Sequence, residues 1–446
     1  MTIQVIGGGL AGPEAAWQAA RLGQPVILYE MRPRVSTPAH QSDRLGELVC
    51  SNSLKSEQAG SAPWLLKQEL RRLDSLLLRV ADGARVPGGH ALTVDREIFA
   101  AQVTAAIEAE PLIELRRQEV TRMPTDGVVV IATGPLTSDS LAAAIVELTG
   151  SERLFFYDAI SPIVEADSID YSVVYRASRY GKSLDGGEDY LNCPLTREQY
   201  DRFYESLLAA QTHAGHDFDR VPYFEACLPI EELARRGRET LRFGPMKPVG
   251  LPDPRTGRLP YAVVQLRQED LRAGSYNLVG FQNHLKYGEQ AQVLRMIPGL
   301  EAAEFTRFGQ VHRNTYINGP ALLGPGLELR SNARIFFAGQ ICGVEGYVEA
   351  IATGLMAGLN AVRFAEGKPP MAWPRETAIG SLVHYITGAD PRHYQPANIT
   401  FDLLPALSDA DGALAGDKLS RRRLQCRRAL EALDTHRAQH ETIAAL

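Results

Sequence analysis

The apolar residues of this chain fall into short continuous runs divided by glycine-rich turns, and several runs predict a strand that feeds a helix. The clearest is "IQVIGGGLAGPEAAWQAARLGQPVILYE" near the N-terminus. It reads as a buried strand from Ile3 to Ile6, a glycine turn, a helix to about Leu22, and a second strand closing on Glu30. "GVVVIATGP" (127–135) reads as another buried strand, ending in Ala-Thr-Gly. "ARIFFAGQICGVEGYVEAIATGLMAG" (333–358) reads as strand, glycine-rich loop and small-residue helix. Between about 160 and 325, strand-like runs ("YSVVYRA", "YAVVQLRQ", "YNLVGFQ") mix with one clear helix, which Thr196 and Gln199 open with a capping box. "DGGED" (185–189) and "LPDPRTGRLP" (251–260) are expected as exposed turns. Pro-rich "GKPPMAWPRE" leads into a helical tail, where Cys426, Leu430 and Leu433 make an apolar stripe beneath arginines.

The first run carries chemistry. Gly7, Gly9 and Gly12 form G-x-G-x-x-G between strand and helix. Gly7 permits the tight turn, Gly9 lets the backbone approach a pyrophosphate, and Gly12 lets helix pack on strand. The helix N-terminus attracts the pyrophosphate, and the Glu30 carboxylate suits ribose hydroxyls. Gly8, Leu10 and Ala11 complete this turn. The second crossing at Gly134 and the late loop at Gly339, Gln340 and Gly346 favour FAD, since no second such motif supplies a nicotinamide domain. The expected fold is α/β: a two-dinucleotide-binding-type, Rossmann-like FAD domain with an inserted α/β domain. Its parts are residues 1–160, an insertion at 161–325, and 326–446 with the helical tail. Gln340 stands where an acidic residue is usual, which weakens its expected ribityl contact.

Length and charge bound the rest. The chain has 446 residues and a formal net charge of −6, which argues against wholesale coating of nucleic acid but not against a local basic face. Arg235, Arg236 and Arg238, and the arginines at 421–423, are the candidates. The N-terminus runs straight into a strand, leaving no room for a signal peptide, and no apolar run approaches bilayer length. Cys50, Cys193, Cys227, Cys342 and Cys426 make no CxxC pair and no metal cluster. A cytoplasmic protein with reduced thiols and no metal is expected.

Two cysteines stand apart. Cys50 precedes Ser51, Asn52, Ser53 and Lys55, so free backbone N–H groups and a lysine are expected nearby, and both favour a thiolate. Cys227 precedes Pro229 at a predicted helix start, although Glu231 and Glu232 oppose that effect. Cys193, Cys342 and Cys426 are expected to be structural.

The segments "GGGLAG", "LVCSNSLKS", "YFEACLPIEELARRG", "GPMKPVGL", "VGFQNHLKYGEQ", "FTRFGQVHRNTYIN" and "FFAGQICGVEGYVEAIATGL" together resemble the bacterial FAD- and folate-dependent tRNA (uracil-5-)-methyltransferase family. The likeness runs from residue 5 to about 360. It implies methylation of a T-loop uracil in tRNA, with methylenetetrahydrofolate as one-carbon donor and reduced FAD, recharged by NAD(P)H, as hydride source. It implies catalytic roles for Cys50 and Cys227, with Cys50 favoured at the flavin and Cys227 at uracil C6, the assignment being left open. His284, Lys286, His312, Arg313, Asn314 and Tyr316 are candidates for folate or RNA. No obligate protein partner or membrane is implied. Longer relatives that modify wobble uridine share "FFAGQ" but carry a further C-terminal domain, for which this chain has no room. A flavin oxidoreductase of small molecules and a catalytically idle RNA-binding flavoprotein are the other readings.

Overall fold

The computed structural model describes residues 1–37, 39–150, 154–184, 186–212, 228–408 and 417–440. Its first sheet runs, in spatial order, Glu328–Leu329, Asn332–Phe337, Val128–Ile131, Ile3–Ile6, Val26–Glu30 and Ile113–Arg117. All neighbours are parallel except the Glu328–Leu329 edge. Ile3–Ile6 and Val128–Ile131 are buried along their whole length, as expected of central parallel strands covered on both faces. The helix after the glycine turn, Ala11–Arg21, packs against the long helix Tyr347–Ala365. Their approach depends on missing side chains: a Cβ on Gly354 or Gly358 would lie 2.4 or 2.5 Å from the carbonyl oxygens of Ala11 or Ala15.

The second sheet is antiparallel, in the order Tyr175–Arg176, Tyr190–Leu195, Ala262–Gln268, Ser275–Leu278, Ile163–Glu165 and Phe305–Arg307. It has its own hydrophobic core, including Leu191, Phe203, Val264 and Phe281. The capping box on helix Arg197–Ala209 forms as the sequence suggests. "YSVVYRA" is mostly not strand: Val173 and Val174 donate to the Asp170 carbonyl, so a turn precedes Tyr175. The two expected turns are not wholly exposed either. Asp189 is buried and accepts the Gly89 N–H, while Leu251 and Asp253 are buried at the start of the other turn. Strands Leu154–Ala159 and Val311–Tyr316 pair antiparallel, Leu154 opposite Tyr316, and form the neck of the insertion.

The tail is tied to the first layer. Glu69 is buried and its carboxyl oxygens accept the Ala378 and Ile379 N–H groups at 2.7 and 2.9 Å, capping helix Ala378–Gly388. Burial pushes the Glu69 carboxyl up to about 8. On helix Lys418–Gln439, Cys426 and Leu433 are buried and Leu430 packs beside them. Cys193 and Cys342 are buried too, and burial raises all three thiols, Cys342 to about 12 and Cys426 to about 11.

Candidate functional site

A cleft with about 1080 Å³ of empty space opens at the C-terminal ends of the central parallel strands. That is where open α/β sheets bind ligands. Gly7 through Ala11, Glu30, Gly134, Gly339 and Gln340 line it, as the sequence suggests. The glycines divide their work. Gly7 has φ +114°, and a Cβ there would meet the Ala132 carbonyl at 2.5 Å. A Cβ on Gly12 would sit 1.8 Å from the Gly7 oxygen, so Gly12 sets helix-on-strand contact. Gly9 has no heavy atom within 4 Å of its missing Cβ. That unfilled cradle beside a helix N-terminus fits a pyrophosphate.

Glu30 Oε2 accepts the Gly8 N–H at 2.8 Å, and Oε1 pairs with Arg32 Nε at 2.8 Å. Burial would raise this carboxyl, but the Arg32 hydrogen bonds and charge, with the Gly8 N–H, hold it below the ordinary value. It is therefore an anion on the cleft wall. Gln340 Nε2 donates to Glu345 Oε2 at 2.9 Å, so a carboxylate stands just behind the residue that breaks the usual acidic pattern. Gly346 does not line the cleft; its φ of +117° and a Cβ position 2.3 Å from Lys55 Nζ make it a packing glycine. Asn314 is fully buried in the cleft wall, and neither its Nδ2 nor its Oδ1 has a partner. A buried side-chain amide normally makes hydrogen bonds. Here the open partner is the cleft, and a donor next to an acceptor suits the edge of a flavin or pterin ring. The residues present fit a bound flavin nucleotide.

Cys50 lines the same cleft. No helix starts after it; strand Ser53–Ser56 follows. Lys55 does not act on it, because Lys55 Nζ binds Glu349 at 2.7 Å, Asn398 and the Glu345 carbonyl. Tyr347 takes the place expected of the lysine. Its Oη lies 2.9 Å from Cys50 Sγ and accepts the N–H groups of Cys50 and Ser51 at 2.9 and 3.2 Å. With both acceptor directions used, the phenol proton points at sulfur. Burial, then the nearby Cys50, holds Tyr347 well above the ordinary phenol value, so it remains a donor.

Three arginines unremarked in the sequence flank this loop. Arg96 Nη1 donates to the Leu48 and Val49 carbonyls, Arg307 Nη1 to Val49 at 3.1 Å, and Arg267 Nη2 to Ser51 Oγ at 2.8 Å. Arg267 could have been noticed, since it is the one charge in a strand of apolar and amide residues, and it is 9% exposed.

Other candidates lie elsewhere. Cys227 falls outside the described residues. His284 is buried and pairs with Glu231, and Lys286 reaches Gln211 at the surface; neither lines the cleft. Tyr316 is buried against Tyr394, also away from it. His312 and Arg313 lie on the neck strand with Asn314. Arg235 pairs with Glu232, and Arg238 with Asp201 and Glu205, so neighbouring carboxylates offset much of that cluster's charge.

Fold and cleft together define a flavoprotein of the Rossmann-like dinucleotide-binding class with an antiparallel insertion. The family model described as glucose inhibited division protein A matches residues 2–369. Similar proteins include the methylenetetrahydrofolate–tRNA-(uracil-5-)-methyltransferase TrmFO of Solibacter usitatus, 66% identical over 98% of each chain. The protein of that name from Koribacter versatilis is 61% identical over 97% of each. Among solved structures, GidA of Aquifex aeolicus superposes with a TM-score of 0.70 at 18% identity, over 99% of this chain and 74% of that one, which shows a shared fold. The chain belongs to the methylenetetrahydrofolate–tRNA-(uracil-5-)-methyltransferase TrmFO family, within the broader group described by that family model.

Proposed function

We propose that this protein methylates uracil at C5 in the T loop of tRNA, with methylenetetrahydrofolate as one-carbon donor, FAD as bound cofactor and NAD(P)H as reductant. The observation that carries the reading is a cysteine, Cys50, set by Tyr347 into the same cleft as the dinucleotide-binding glycines, in a chain 66% identical to a protein of that name. Uracil C5 is a weak nucleophile. When a thiolate adds to C6, an S–C6 bond forms, the C5=C6 π pair shifts toward the C4 carbonyl, and C5 becomes enolate-like. Flavin, when bound, supplies redox chemistry; the chain supplies the glycine cradle, the Glu30 anion and the oriented thiol. In this reading Cys50 acts at the flavin and Cys227 at uracil C6. Asn314, with His312 and Arg313 beside it on the strand, is proposed to meet flavin or folate, and the arginines at 235, 236, 238 and 421–423 to meet tRNA.

Domain boundaries near residues 160 and 325, and a cytoplasmic location, belong to the same reading. Two separate hydrophobic clusters support a division into two domains, with Ile317 and Leu323 already packing in the first one, and no helix among the described residues is long and apolar enough to cross a membrane. The test is to incubate the yellow protein with unmodified tRNA, methylenetetrahydrofolate and NAD(P)H and assay 5-methyluridine. Steady NAD(P)H turnover on a small molecule with no RNA product would replace the reading by the oxidoreductase one.

A further inference from the structure

We propose that Arg96, Arg267 and Arg307 are positioning residues for Cys50, clamping its loop from both domains and holding its sulfur as the thiolate. The inference rests on the reading that Cys50 works in the cleft. The geometry is a bracket. Arg96 and Arg307 grip the carbonyls before Cys50, and Arg267 grips the serine after it. Arg96 comes from helix Arg96–Ala109, whereas Arg267 and Arg307 come from the antiparallel sheet of the insertion.

Among the described residues, the charged and titratable groups facing this loop include Tyr347 from the long helix, Glu47 from the loop itself, Glu269 from just beyond strand Ala262–Gln268, His40, which lines the same cleft, and the three arginines. Glu47 is already paired with Arg32 at 2.8 Å. Glu269 pairs with Arg96 Nε at 2.6 Å and also acts on Arg267, whereas the carboxylate near Arg307 is Glu47, so the three guanidiniums face two carboxylates, one of them already held by Arg32. The Nε atoms of Arg267 and Arg307 are buried without a partner. Burial holds both of those arginines below the ordinary guanidinium value and like charge from Arg96 adds to it; Glu269 and Tyr190 raise Arg267, Tyr347 and Glu47 raise Arg307, and the Cys50 sulfur raises each by a smaller amount. An anion at Cys50, flanked on both sides by residues that the guanidiniums hold, relieves that crowding, because a nearby opposite charge favours the charged form of each partner. On ionising, the thiol loses its proton to water and no other bond changes. The Tyr347 hydroxyl then donates to a full negative charge.

The test is the pH profile of iodoacetamide alkylation at Cys50, read by peptide mass mapping on the flavin-loaded, full-length protein. Arg307→Met should move the midpoint up by about one pH unit or more, and Arg307→Lys should return most of it. Because Arg267→Met could fail to fold, Glu269→Gln supplies the opposite sign: removing the shared carboxylate should move the midpoint down. A clamp of purely mechanical effect would change the maximal alkylation rate and leave both midpoints in place, and that result overturns the proposal. If the midpoints stay put while Cys50→Ala abolishes methylation, only this inference fails. Full methylation by Cys50→Ala removes the underlying reading instead.

Discussion

Replacing Gly9 should empty the cleft of flavin without unfolding the protein, whereas replacing Gly12 should destabilise the fold itself. The space beyond the missing Cβ of Gly9 holds no protein atom within 4 Å, and Gly9 is not among the positive-φ residues. An added side chain there meets only what the cleft binds, so the cost to the ligand-free fold is within about 0.5 kcal/mol. The ligand loses close backbone approach. One charge-assisted hydrogen bond is worth about 1.5–3 kcal/mol, so displacing the pyrophosphate from a single N–H weakens binding by about ten- to hundredfold. At Gly12 the added Cβ would sit 1.8 Å from the Gly7 oxygen, and helix Ala11–Arg21 must retreat by about 1.6 Å to reach an ordinary 3.4 Å contact. Overpacking of that kind costs about 1–3 kcal/mol. The assay pairs the flavin-to-protein ratio after desalting with thermal melting of the stripped protein. Gly9→Val should be pale with a near-normal Tm, whereas Gly12→Ala should melt low. A Gly9→Val protein that keeps its full flavin complement would refute the cradle.

Asn314→Leu should stabilise the stripped protein, by about 1–3 kcal/mol, because it removes a buried amide with no partner, and should weaken flavin or folate binding; equal loss in both states would show a hidden structural partner. Glu69 has a folded value near 8 against 4.5 for the free group, so its stabilising contribution is complete below about pH 4.5 and disappears as pH rises through 8. Glu69→Gln should therefore flatten the fall in Tm between about pH 5 and 8, and an unchanged slope would exclude Glu69 as its source. Cys50→Ala and Cys227→Ala should abolish methyl transfer while Cys193→Ala and Cys426→Ala retain it, scored as 5-methyluridine formed. Neutralising Arg235 and Arg236 should weaken tRNA binding and lower the logarithmic salt slope by roughly 0.7–0.9 per lost phosphate contact. Unchanged affinity at every salt concentration would leave ion pairing as the role of Arg235.

The dinucleotide half was legible because its signals are local. A glycine turn and two buried, largely apolar strands each declare themselves within short stretches of sequence, and Gly7, Gly9, Gly12 and Glu30 stand where those signals put them. The thiol environment was not legible, because it is assembled from distant segments. Cys50 and Tyr347 are 297 positions apart, and Val49 and Arg307 are 258 apart. Sequence proximity pointed instead to Lys55, whose φ of +61° and bond to Glu349 carry it away from the sulfur. "YSVVYRA" misled for a related reason. β-branched composition favours strand, but the Asp170 carbonyl captured the backbone donors first.

The insertion joins the first domain through one antiparallel neck, with Leu154 opposite Tyr316, so both crossings lie side by side. A segment that leaves and returns at one point can be gained in a single genetic event, without rerouting the older chain around it. Two of the three arginines at the Cys50 loop are carried by that segment. The dinucleotide domain alone carries this cysteine without those two arginines. The reactive centre is complete only with the insertion in place, and chimeras that exchange insertions between relatives should transfer thiol reactivity along with the inserted piece.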